Sequence, residues 1–156
     1  MNFVEICEKG NTETAQQLLE RGADINEVDS LGWTGLMRAC DTEKTEMVRF
    51  LISKGANVNA TNRLGQTALM FPCLKGYIDI VKALLDAGAN VNTADKDGKT
   101  PLIFACQRGQ VEVAKLLLAK GADAKAANVV GKTVTQYATD SNKQELVSLI
   151  LQATGK

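Results

Sequence analysis

Apolar residues in this chain fall into short blocks that return at a fixed interval of 33 residues. Val48, Leu51 and Ile52, and again Val81, Leu84 and Leu85, show i, i+3, i+4 spacing. That spacing predicts an amphipathic helix with one buried stripe. A shorter apolar block, opening on Leu36, Leu69 or Leu102, precedes each of these helices, and a polar stretch containing glycine precedes that block in turn. The pattern therefore predicts a polar turn, a short helix, a second helix and a glycine stop. It is fullest over residues 95–123, D-K-D-G-K-T-P-L-I-F-A-C-Q-R-G-Q-V-E-V-A-K-L-L-L-A-K-G-A-D.

Single residues keep the same register. Thr34, Thr67, Thr100 and Thr133 stand 33 apart, each two residues after a glycine (Gly32, Gly65, Gly98, Gly131). A threonine at a helix start can accept a hydrogen bond from a free backbone N–H. Pro101, after Thr100, suits the first helical position, where a missing N–H costs nothing. Gly22, Gly55, Gly88 and Gly121, each followed by alanine, are expected to end the second helices at positive φ. Asn, Asp and Gly in the following segments are turn formers, and Asn26, Asn59 and Asn92 are expected to bond backbone there. The units run 1–28, 29–61, 62–94, 95–127 and 128–156. The first lacks a turn and the last is polar, so both are expected to cap a complete five-unit stack forming a single domain.

These residues resemble the ankyrin repeat, a β-turn plus two antiparallel helices with a T-P-L-H-x-A signature. The chain reads T-G-L-M-R-A, T-A-L-M-F-P, T-P-L-I-F-A and T-V-T-Q-Y-A at that place. Met37, Met70, Ile103 and Gln136 replace the family's histidine, Pro72 its first-helix alanine, and Glu43 its mid-repeat glycine. The resemblance implies an all-α solenoid of helix-turn-helix units joined by β-hairpin-like loops.

Composition changes this picture mainly by exclusion. Eighteen basic and eighteen acidic residues cancel, so overall charge points to neither nucleic acid nor an anionic membrane. The chain has no histidine, which removes the usual general base and commonest zinc ligand. No catalytic residue, metal or cofactor is expected, and the chain is expected not to be an enzyme. No apolar run reaches the roughly 18 residues of a membrane span, and the N-terminus has no secretory h-region. The expectation is a cytoplasmic, intracellular monomer. Cys7, Cys40, Cys73 and Cys106 share one phase, but stacked units stand about 8–10 Å apart and a disulfide needs Cα atoms within about 7 Å. They are expected to pack as small apolar residues.

Four features have two readings each. Pro72 should bend or shorten its helix, either as tolerated drift or to reshape a binding face. Arg38 falls where other units carry Phe71, Phe104 and Tyr137. It is either a buried charge with a partner or a packed stem with its head at the surface, the second being preferred. Trp33, the only tryptophan, is either a contact residue or packed on its own hairpin. Charge is uneven: residues 1–28 carry −4 and residues 95–134 carry +3, a gradient that could orient a partner or be solvated surface.

The resemblance implies protein–protein recognition by the concave face, built from turn tips and first helices. Carried over by position, the contact residues are Ser30, Leu31, Trp33, Asp41 and Thr42 in the second unit. Arg63, Leu64, Gln66, Leu74 and Lys75 follow in the third, and Lys96, Asp97, Lys99, Gln107 and Arg108 in the fourth. Leu31, Trp33, Leu64 and Leu74 would supply an apolar centre with cations toward the C-terminal end, suiting a partner with an apolar anchor and an acidic flank. An inhibitor or effector docking on a regulatory or host enzyme, and a scaffold without a native ligand, are the alternatives.

Overall fold

A computed structural model describes residues 1–155. Its helices are α1 (Phe3–Lys9), α2 (Thr12–Glu20), α3 (Gly35–Asp41), α4 (Thr45–Ser53), α5 (Met70–Lys75), α6 (Ile78–Asp86), α7 (Pro101–Gln107), α8 (Val111–Ala119), α9 (Val134–Asp140) and α10 (Gln144–Ala153). Odd-numbered helices pack each on the next, and even-numbered helices do the same, giving two helical layers. Between the layers lies one continuous core. Leu36, Leu69 and Leu102 are buried in it, with Val48, Val81, Leu51 and Leu84 from the second helices. Each such side chain contributes about 1.5–3 kcal/mol when fully buried. The four cysteines are free thiols inside this core, and Phe71, Phe104 and Tyr137 are buried beside them.

Helix starts follow the threonines, with one exception. Thr34 Oγ1 accepts from Met37 N (3.2 Å), Thr100 Oγ1 from Ile103 N (3.3 Å), and Thr133 Oγ1 from Gln136 N (3.3 Å). Thr67 does not cap its helix. Pro72 has no N–H to give the Ala68 carbonyl, and its ring excludes that α-helical turn. Met70 N instead bonds Thr67 O at 3.2 Å in a tighter turn, and α5 starts only at Met70, with Leu69 at its N-cap position. The Thr67 hydroxyl is buried with no hydrogen-bond partner among the described residues. Pro72 thus shortens the first helix of its unit, and its cost extends five residues back.

The turns between helices keep their geometry even where glycine is lost. Gly10, Gly76 and Gly109 have φ of 76°, 80° and 67°, and Glu43 and Asn142 occupy the same phase at 58° and 57°. The glycines closing the second helices, Gly22, Gly55, Gly88 and Gly121, are likewise at positive φ.

Long loops join the units as projecting fingers rather than paired strands. Among the described residues, regular β pairing is limited to two isolated bridges, Val28 with Thr34 and Ala127 with Thr133. One acidic or amide side chain closes each finger. Asp29 Oδ1 accepts from Leu31 N (2.9 Å) and Trp33 N (3.0 Å), and Asn62, Asp95 and Asn128 repeat the arrangement. Asn26, Asn59 and Asn92 bond backbone as expected, but in the next unit: their Oδ1 atoms accept from Asn57 N, Asn90 N and Asp123 N at 2.7–2.9 Å. These asparagines therefore tie consecutive loops together.

Candidate functional site

The fingers bring the candidate tip residues into one row. Arg63 N donates to Leu31 O (3.3 Å), Lys96 N to Leu64 O (2.9 Å) and Val129 N to Asp97 O (2.9 Å), so each tip is bonded to the next. Ser30, Leu31, Arg63, Leu64, Lys96 and Asp97 are all exposed on this row. Leu31 and Leu64 keep 56% and 58% of their surface in water.

Trp33 is placed differently. Its ring stacks on Phe71 of the following unit, with centroids 4.4 Å apart and planes inclined by 28°. The Arg38 guanidinium covers it, Cζ lying 4.3 Å from the ring centroid. It packs neither in the open nor solely on its own hairpin, so Leu31 and Leu64 present the open apolar surface of the first two fingers. Arg38 in turn donates from Nη2 and Nε to Asp29 Oδ2 at 2.6 and 3.2 Å. With side-chain exposures of 23% and 18%, this is a largely enclosed ion pair, not a packed stem with a free head. Burial works to raise the Asp29 pKa, but the Arg38 hydrogen bond and the Trp33 and Leu31 amides outweigh it and hold the carboxyl below its ordinary value.

The remaining candidates divide between engaged and open groups. Asn62 Nδ2 donates to Gln66 Oε1 (2.9 Å), and Lys99 Nζ to Gln107 Oε1 (3.3 Å). Lys75 Nζ pairs with Asp41 Oδ1 (2.7 Å) across two units, and the Thr42 hydroxyl lies against the carbonyls of Arg38 and Glu8. Leu74 is half-buried against the core, where it lines an open cleft of about 520 Å³ with Lys75, Tyr77, Arg108 and Gln110. Gln107 and Arg108 are exposed. Among the described residues, Arg63, Lys96 and Arg108 form no ion pair.

Sequence reasoning missed Val129 and Val130, on the tip of the last finger. They are 69% and 82% exposed, more open than either leucine. Their phase, one unit after Lys96 and Asp97, is the signal that marks them.

Burial keeps the thiols protonated. It pushes Cys7 and Cys106 up to about 12 and raises Cys40 and Cys73 as well, so none is a ready nucleophile. Among the described residues no cluster of three His, Cys, Asp or Glu side chains could hold a metal. No described helix is long and apolar enough to cross a membrane. The described residues thus present exposed apolar tips, cations without an ion-pair partner and, apart from them, an open cleft.

Comparison with known families gives two matches. A model described as ankyrin repeats (3 copies) covers residues 3–95, and one described as ankyrin repeats (many copies) covers residues 73–118. No curated protein matches the chain.

Proposed function

Since the chain belongs to the ankyrin-repeat family, whose members are generally protein–protein interaction modules, we propose that it binds a partner protein along its fingertips and first helices. The observation that supports this reading is the pairing of Leu31 and Leu64, exposed on adjacent bonded tips, with Arg63 and Lys96 on the same row, which form no ion pair among the described residues. Exposed apolar groups rimmed by charge mark interaction sites, and the cations favour a partner with an acidic flank. The role involves binding alone, without a catalytic step.

Photo-crosslinking tests the surface and identifies the partner together. A photoreactive residue at position 64 should capture a partner that the same residue at position 82, on exposed Lys82 of the outer layer, does not. Leu64→Asp should then weaken binding of that purified partner at least tenfold. Equal capture from both positions, or unchanged affinity, would remove the reading.

A further inference from the structure

The same place on the four fingertips is held by Leu31, Leu64, Asp97 and Val130. Three of these are exposed apolar side chains, and backbone bonds hold consecutive tips side by side. We infer that this ridge receives an amphipathic helix of the partner, with apolar residues seven and twenty-one positions after a first apolar anchor and acidic residues around the third tip. The inference rests on the reading above that the fingertips face a partner protein.

Spacing selects the helix. Each finger opens its own helix pair, and packed helices stand about 8–10 Å apart. An α-helix returns nearly to the same face after about seven residues, a rise of about 10.5 Å. One heptad therefore matches one repeat interval, and three heptads lead from Leu31 to Val130. A β-strand covers about 10 Å in roughly three residues, an odd step that turns every second anchor away from the ridge. Polyproline II returns to the same side every three residues, after about 9 Å, but its grooves are lined by aromatic rings. The tips here carry leucine and valine, and the neighbouring Trp33 ring is already stacked on Phe71.

Charge sets the third interval. Asp97 replaces the apolar residue there, flanked by Lys96 on its own tip, with Arg63 one finger back. Neither of these two cations has an ion-pair partner among the described residues. A helix with a polar residue facing Asp97 and acids one turn to either side would complement this stretch without burying an unpaired charge.

A fluorescein-labelled synthetic helix tests this directly. It carries leucine at its first, eighth and twenty-second positions and glutamate at its twelfth and nineteenth, on an alanine and glutamine background. One control moves the middle leucine by two positions, off the shared face; a second is a proline-rich peptide with leucine at every third position. The first peptide should bind saturably by anisotropy, with Kd raised at least tenfold by Leu64→Asp, by Val130→Asp and by the shifted leucine. Absence of binding, equal binding of either control, or a Val130→Asp variant with unchanged Kd would overturn the helical occupant. If the partner crosslinked at position 64 still depends on Leu64 in that event, the wider reading of the surface stands without it.

Discussion

The Cζ atom of Arg38 sits 4.3 Å from the centroid of the Trp33 ring, with the cation on the helix and the aromatic on the loop. Two other units reverse the arrangement. Lys99 on a loop faces Phe104 on a helix at 5.7 Å, and Lys132 faces Tyr137 at 4.4 Å. The variable loop phase and the variable helix phase are thus coupled: each of these units holds one cation and one ring, in either order. Arg38→Ala would remove both the ring contact and the Asp29 bond, at a cost of about 1–2 kcal/mol. Urea denaturation should show the loss, and Trp33 emission should shift as water reaches the indole; unchanged emission would contradict the contact.

Acid should weaken the same triad. Because the folded-state pKa of Asp29 is lowered, its ionised form is the one that stabilises the fold. That contribution is fully present above the ordinary value of 3.8 and is lost as pH falls through the folded value. Asp29→Asn, the residue type found at Asn62 and Asn128, keeps the Oδ1 acceptor for the turn's N–H groups but cannot titrate. Stability measured by urea from about pH 6 down to about pH 3 should therefore fall more steeply for the wild type than for the variant. Parallel curves would show that Asp29 does not contribute this pH dependence.

The third unit should gain from losing its proline. Pro72→Ala restores an N–H to the helix, letting α5 start near Ala68 and letting Thr67 cap Met70. A gain of roughly 1–3 kcal/mol is expected from backbone and cap together. The hydroxyl gives a second readout. In the wild type Thr67 Oγ1 has no partner among the described residues, so Thr67→Val should be neutral or stabilising, whereas in the Pro72→Ala background the same change should cost about 1 kcal/mol. An additive double-mutant cycle would mean the two residues are not linked.

The scaffold was legible because its determinants are local: apolar spacing, threonine caps and glycine stops each act within one unit. The shortening at Pro72 could also be read from its missing N–H. The loss of the Thr67 cap could not, since it depends on which carbonyl the displaced turn adopts. Trp33 escaped for a different reason. Its ring settles on Phe71, 38 residues away in the next unit, and no pattern within one repeat specifies that pair. Arg38 does not have a free head because Asp29, nine residues earlier, uses one oxygen to close its turn and the other to bind the guanidinium, a pairing that turn propensity alone does not specify. The fingertip row was legible by phase alone. Val129 and Val130 share that phase, although the unit they open turns polar further on.

The cysteine ladder should be chemically silent in the folded state. All four thiols are buried, and burial raises their pKa values, so both access and thiolate fraction are small. With Ellman's reagent at about pH 8, labelling should proceed at the rate of global unfolding and reach four thiols at once in guanidinium. A single thiol reacting rapidly without denaturant would identify a locally open unit.

Glu43 carries the clearest backbone strain. At φ 58° it holds a left-handed conformation that Gly76 and Gly109 adopt at the same phase. A side chain there costs about 1–2 kcal/mol through the approach of Cβ to the following carbonyl. Glu43→Gly removes that contact but loses about 0.5–1 kcal/mol through the greater freedom of glycine in the unfolded chain. A net gain of about 0.5–1 kcal/mol is expected. Asn142, at φ 57°, is a residue type whose short amide tolerates this region, so Asn142→Gly should gain less. Paired urea titrations decide the point: equal gains at the two sites, or none at position 43, would show that the turn is not strained by its side chain.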